Sequence, residues 1–449
     1  MNGINIAYIG GGSRGWAWGL MSDLALEPAL CGTVRLYDID MEAARENAII
    51  GNRLAEREDV VSSWRYEVSA SLEKALAGAD FVVISILPGS LETMAVDVHT
   101  PERYGIFQAV GDTVGPGGAM RAFRTIPLYI EIAEAIRDHA PDAWVINYTN
   151  PMSVCTRTLY RVFPGIKAIG NCHEVFGTQK LLARALEEVK GVQDVTREEI
   201  RVNVLGINHF TWITRAAWRD IDLFPVYEAF VEKHHAVGYE SEQTGNWMND
   251  FFSSANRVKF DLFRRYGVIA AAGDRHLAEF CPNRWYLKDA ETVRAWKFSL
   301  TPVAWRLENQ KERLEKGRRL AAGLEPFALQ ETGEEGVRQM KALLGLGDLV
   351  TNVNLPNRGQ IPSLPMGAIV ETNALFTRDS VTPIQSGTLP LPVLSMVERH
   401  IRNQEGIVEA TFTRDRHLAF QTFLNDPLVD LDLPEAEACF RAMDQGYFD

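Results

Sequence analysis

The sequence predicts an α/β fold, a doubly wound parallel sheet followed by a second domain of mixed α+β structure. Three observations predict it. Strand-like apolar runs alternate with amphipathic helical patterns over the first 180 or so residues, a glycine cluster joins the first strand to the first helix, and the texture changes beyond about residue 200.

Residues 4–9 form a short apolar run suited to a strand buried on both faces, and 33–37, 81–86, 144–147 and 166–170 repeat the signal. Between them, 41–57 and 119–137 space their apolar residues by three and four, as a helix covering a sheet must. A chain of 449 residues exceeds what one core usually organises. Two domains are expected, 1–200 for a dinucleotide and 201–449 for substrate, metal and subunit contacts. The second opens with an antiparallel pattern at 200–218 and continues in helical patterns at 225–235, 247–266, 336–343 and 391–426. Ahead of the last lies 352–383, rich in Pro, Gly and Asn, which reads as short strands and tight turns.

The formal charge of −13 argues against a nucleic-acid partner. It leaves room for a small anion, because one or two arginines in a cleft outweigh distant surface charge. No apolar run reaches the length of a membrane span, and Met1 to Ala7 carries no basic segment ahead of an apolar one, so a cytoplasmic protein is expected. Five scattered cysteines without a Cys-x-x-Cys pair suggest reduced thiols.

The first strand runs into Gly10-Gly11-Gly12-Ser13-Arg14-Gly15, and 16–25 is helical in pattern. Glycines there let the backbone approach a pyrophosphate, which sits against the open N–H groups of the helix N-terminus. Tyr37-Asp38-Ile39-Asp40 follows at the end of the second strand, where Asp38 can accept from the adenine-side ribose; an acid there favours NAD over NADP. The alternative use of Asp38 is to cap the next helix, a task better suited to Asp40. Together these signals make the first domain Rossmann-like. Ser85 and Asn147 then fall on the carboxyl edge of the sheet, facing the cofactor, with Asn150 nearby facing substrate.

At the end of the fifth strand-like run stands Asn171-Cys172-His173-Glu174-Val175, and a later strand carries Gly206-Ile207-Asn208-His209. A thiolate and an imidazole make a two-ligand set for a divalent cation whose remaining positions stay open to substrate oxygens. Plainer uses compete: an isolated cysteine packs as a small apolar side chain, and a lone histidine is usually just hydrogen-bonded. A cysteine nucleophile with His173 or His209 as base would leave the dinucleotide without a task.

In order, these segments resemble glycoside hydrolase family 4, whose chemistry departs from the usual pair of carboxylates. The likeness runs through 9–15, 36–40, 110–118 with 121–127, 147–151, 171–175, 206–209, 354–371 and 387–390, nearly the whole chain. The tetrapeptide Cys172-His173-Glu174-Val175 is similar to that of the α-galacturonidase subgroup, whereas phosphoglucosidases of the family carry others. The resemblance implies a fold like that of lactate and malate dehydrogenases, with NAD and Mn²⁺ (or another divalent cation) as cofactors, and an assembly of two or four identical subunits.

It further implies release of an α-linked galacturonic acid by oxidation at C3, deprotonation at C2, elimination of the leaving group, addition of water and reduction. Cys172 and His209 would hold the cation, and His173 would protonate the leaving oxygen. Family members acting on phosphorylated sugars place a tyrosine in the segment matching 269–276, where this chain reads Ala271-Ala272-Gly273-Asp274-Arg275-His276. Asp274 is the expected base, with Tyr266 and His276 as substitutes. Arg275 or Arg284 would read the C6 carboxylate, since a guanidinium offers a bidentate fork; an ordinary ion pair is the alternative use of either. Asp112, Asn150 and Asn208 are expected beside the substrate. Competing activities are an α-glucosidase, α-galactosidase or α-glucuronidase of the same family, a hydroxy-acid dehydrogenase, and a non-catalytic NAD(H) sensor.

Overall fold

The computed structural model describes residues 3–240 and 254–448. Six parallel strands form its centre: β1 (Ile4–Ile9), β2 (Cys31–Tyr37), β3 (Ser63–Val68), β4 (Phe81–Ile84), β5 (Trp144–Asn147) and β6 (Lys167–Gly170). They lie in the order β3-β2-β1-β4-β5-β6, so the connections run one way and then the other, parting beside β1. At such a switch point the loops diverge and leave a crevice at the carboxyl ends of the strands. Every residue of β4 is buried, in keeping with its unbroken Phe-Val-Val-Ile sequence. The strand β3 and the helix Glu174–Lys190 are elements that apolar periodicity alone did not mark.

The sheet does not end where the first sequence block ends. A C-terminal hairpin of β11 (Leu349–Pro356) and β12 (Ile369–Thr377), with β13 (Ser380–Pro383), adds antiparallel to β6 and brings the sheet to nine strands. The joint is the pair Asn354 and Gly170, two residues before Cys172. A cut at residue 200 thus follows the chain but divides this sheet.

The second sheet pairs β7 (Ile200–Ile207) with β8 (Phe210–Trp218), and β8 with both β9 (Ile221–Asp222) and β10 (Ile269–Ala270). Asn373 on β12 donates to the Val202 carbonyl on β7 at 2.6 Å, tying the two sheets together. The turn of the β7–β8 hairpin is Asn208-His209, with His209 held in the left-handed region at φ +62°. That conformation is uncommon for a histidine.

Of the helix expected over 247–266, the described part is Arg257–Tyr266; 247–253 lies outside the described residues. The helix expected over 391–426 is two, Leu391–Thr413 and Arg416–Leu424. Arg414 turns left-handed between them, and the Asp415 carboxylate accepts from the N–H groups of His417 and Leu418, starting the second helix afresh. Helix Val303–Ala322 returns to the glycine loop, with Arg313 donating to the Arg14 carbonyl at 3.0 Å. Among the described residues no helix is long and apolar enough to cross a membrane.

Candidate active site

The crevice is one continuous cleft of about 1830 Å³, running from the glycine loop past the ends of β4, β5 and β6 to the β7–β8 turn. At its first end, Gly10 has φ +92°, and a side chain there would meet the Ser85 carbonyl, so only glycine fits. The Tyr37 carbonyl accepts from the N–H groups of both Gly10 and Gly11. Asn47, from the following helix, donates to the Gly11 and Ser13 carbonyls at 2.7 and 3.0 Å and braces the loop from below. Helix Trp16–Ala25 has no side chain capping its N-terminus, which leaves its first N–H groups for an anionic ligand.

Asp38 accepts from the Gly12 N–H at 2.8 Å through one carboxylate oxygen and from the Asp40 N–H at 2.9 Å through the other. Each oxygen keeps a lone pair for a ribose hydroxyl, and Asp38 lines the cleft. Asp40 is the N-cap of helix Met41–Leu54, accepting from Ala43. Gly12, Ser13, Arg14, Gly15 and Ser85 line the cleft as well.

At the other end, β6 delivers Cys172 to the cleft wall and helix Glu174–Lys190 begins immediately after it. His173 donates its Nδ1–H to the Glu334 carboxylate at 2.8 Å. Burial alone would lower the His173 pKa, but the Glu334 carboxylate outweighs it and lifts the group to about 9. The imidazolium is therefore the form present at neutral pH. Glu174 accepts from the Gly273 N–H at 2.6 Å; burial raises its pKa, yet His276 and His209 hold it down to about 2. Burial, with Glu371 and Glu174 close by, raises the Cys172 thiol, a preference that a cation bound at the sulfur would reverse.

His209, on its turn, approaches helix Asp274–Phe280, and its ring stacks on that of His276 with centroids 3.6 Å apart. Burial, with His276 adding to it, takes His209 to about 3, so it is neutral. Asp112 opposes burial through Arg121, His276 and His209, and its carboxyl stays well below the usual range. Donor atoms of Asp112, His209 and His276 all lie within 4.8 Å of one another, the group among the described residues able to hold a metal ion. The donor chemistry, two neutral imidazoles and an ionised carboxylate with a cysteine in the same cleft wall, fits a first-row divalent cation.

Several expected residues fall elsewhere. Asp274 is fully buried outside the cleft lining, and its carboxylate accepts from the Lys259 N–H at 3.0 Å, capping helix Arg257–Tyr266. Its place in the right segment of sequence serves that helix rather than a substrate. Tyr266 is likewise outside the lining, edge-on to Trp212. Arg284 lies on the surface, ion-paired with Asp430, away from the cleft. Arg275 does reach the wall, but its guanidinium donates to the carbonyls of Ser299 and Ala109 and to the Thr301 hydroxyl, so it clasps main chain. Asn147 is buried behind the surface, accepting from the Tyr129 hydroxyl at 2.5 Å and the Thr149 N–H at 3.0 Å, and so shapes the turn that presents Asn150. Asn208 points away toward Glu371 at 3.4 Å, and Gly11 packs on Leu36 beneath the loop.

Sequence reasoning missed Glu334, Asn47, Arg121 and Lys259. Arg121 donates to the Asn150 carbonyl at 2.9 Å. Lys259 lines the cleft although buried, donating to the Thr178 hydroxyl at 2.7 Å. Burial lowers its pKa to about 8, against the pull of Asp274 and Glu174. Each contact joins residues more than 25 apart along the chain, for which no local pattern exists.

A family model described as Family 4 glycosyl hydrolase matches residues 5–188, and one described as its C-terminal domain matches 204–429. A protein of Thermoanaerobacterium saccharolyticum named alpha-galacturonidase is 62% identical to this chain, over 98% of it and 95% of that protein. The crystal structure of lplD from Bacillus subtilis, described as a glucosidase, superposes with a TM-score of 0.93 at 56% identity, covering 98% of this chain and 100% of that one. A 6-phospho-alpha-glucosidase from gut microorganisms, solved in complex with NAD and Mn²⁺, has the same fold, with a TM-score of 0.81 at 20% identity over 98% of this chain and 97% of that one.

Proposed function

The chain belongs to family 4 of the glycosyl hydrolases, and from that premise we propose that it is an NAD- and Mn²⁺-dependent α-galacturonidase. The observation that carries the reading is one cleft shared by a dinucleotide loop, the Cys172-His173-Glu174 end of β6 and the His209 turn. Relatives named alpha-galacturonidase that match almost end to end supply the substrate. When bound, NAD supplies a reversible hydride acceptor for C3 of the sugar, and the divalent cation supplies electrophilic pull on the C2 and C3 oxygens.

The chain's own residues do the rest. The glycine loop and Asp38 hold the dinucleotide, and Cys172 and His209 would hold the cation. His173, kept charged by Glu334, protonates the glycosidic oxygen as the bond to C1 breaks, and its neutral form then takes a proton from the water that adds to C1. Lys259 replaces Asp274 as the group that takes the C2 proton, being a buried cleft amine whose pKa of about 8 allows a useful neutral fraction. We also place the protein in the cytoplasm as a homodimer or homotetramer, on the likeness to its family; analytical ultracentrifugation checks the assembly.

The test is a substrate deuterated at C2. An α-galacturonide should be cleaved only with both NAD and Mn²⁺ present, and its label should be lost to H₂O. Retention of all the deuterium would rule out the elimination route. Steady accumulation of NADH would mean a dehydrogenase instead, because the glycosidase restores its cofactor each cycle.

A further inference from the structure

A cation gripped by Cys172 and His209 alone leaves Asp112 and His276 without explanation. Three groups that carry lone pairs, a carboxylate and two imidazoles, converge within 4.8 Å. Arg121 lies near the Asp112 carboxylate and Asn150 donates to its Oδ2 at 3.4 Å, yet the lone pairs that the three groups turn toward one another still repel unless a cation sits among them.

The hydrogen bonds say which nitrogens face inward. The Thr113 hydroxyl donates its one hydrogen to Asp112 Oδ1 at 2.7 Å. Toward His209 Nδ1, 2.9 Å away, the same oxygen can only accept. His209 therefore carries its proton on Nδ1, and Nε2 presents a lone pair. On His276, Nε2 is 3.8 Å from Glu174 Oε1, at ion-pair distance. Its Nδ1 is buried and has no hydrogen-bond partner. A ring whose outer N–H leans on an oxygen acceptor while its other nitrogen lacks a partner is the arrangement of a metal-bound histidine.

We propose that Asp112 and His276 are ligands of the divalent cation together with His209, through Nδ1 of His276 and Nε2 of His209. The proposal rests on the metal-dependent reading above and adds to it. His276, one of the expected bases, becomes a ligand, and Thr113 and Glu174 become the groups that orient the two rings.

Pulsed electron paramagnetic resonance of Mn²⁺ on the full-length protein carrying ¹⁵N-labelled histidine tests this without any turnover. Two directly bound histidine nitrogens are expected in the wild type and one in His276→Ala. Mn²⁺ affinity should fall about 10-fold or more in His276→Ala and in Asp112→Asn, the loss typical of disturbing a metal site. A single histidine nitrogen in the wild type overturns the proposal, and that observation does not depend on any variant folding. Unchanged affinity in both variants overturns it too, as does failure of the wild type to bind Mn²⁺. Two nitrogens in a protein that cleaves no α-galacturonide would support the site and sink the substrate assignment alone. One nitrogen in an active glycosidase would do the reverse.

Discussion

The two ends of the cleft are built in opposite ways. At the dinucleotide end, nearly everything that matters lies between Gly10 and Asn47, and most of its contacts are made by main chain. At the catalytic end, Asp112, Cys172, His173, His209, His276 and Glu334 come from five separate stretches of chain and act through side chains. A site made largely of backbone tolerates most substitutions away from its glycines, whereas a site made of converging side chains depends on each of them. Cofactor binding and chemistry should therefore be separable by mutation.

Cys172→Ser should have the largest effect, removing detectable turnover and most Mn²⁺ affinity while leaving the NAD dissociation constant unchanged by calorimetry. Equal loss of NAD binding would break the comparison. Lys259→Met should lower kcat roughly 100- to 10,000-fold, the range for losing a general base. Exchange of the C2 proton with solvent should slow in parallel, while Mn²⁺ binding persists.

Glu334→Gln should act through pH. His173 must be charged to protonate the leaving oxygen, and Glu334 lifts its pKa to about 9. Without that carboxylate the pKa drops toward the ordinary 6.5 or below, so the alkaline limb of the kcat profile should move to lower pH. Activity at pH 6 should change little and activity at pH 8 should fall about 10-fold or more, as the charged fraction of His173 collapses. The stability linkage has the same sign. Because the folded pKa is raised, the pair's contribution is complete below about 6.5 and is lost as pH rises through about 9. A pH profile that does not move would mean that another group is the acid. At the small end, Arg284→Ala should leave kcat/KM within about 2-fold, since surface ion pairs contribute little and Arg284 is not part of the cleft lining.

The same contrast explains what could be read from the sequence. The strand, glycine loop and helix at residues 4–25 announce themselves, because period, turn chemistry and anion binding all act within one short segment. Cys172, His173 and His209 were legible as residue types at the ends of strands. Glu334 was not, because its meaning depends on lying 2.8 Å from a residue 161 positions away. Asp274 shows the opposite error: an acid in a promising segment also makes a good helix cap, and only the packing of Lys259 against it decides between the two. The sheet shows five strands in the sequence rather than nine because β3 carries no continuous apolar run and residues 352–383 have the turn-rich texture of a separate domain, with no sign that they pair with β6.

That pairing also has a consequence for biosynthesis. While the chain is still emerging from the ribosome, β6 is a bare edge strand, and Asn352, whose amide donates to the Cys172 carbonyl at 3.3 Å, has yet to be made. The nascent protein can thus complete its dinucleotide loop some three hundred residues before the strand carrying its thiol is flanked on both sides. Loss of the last hundred residues, which removes β12 and Glu371, would therefore leave β6 an unpaired edge behind Cys172 while every side chain named at the catalytic end is still present in the chain.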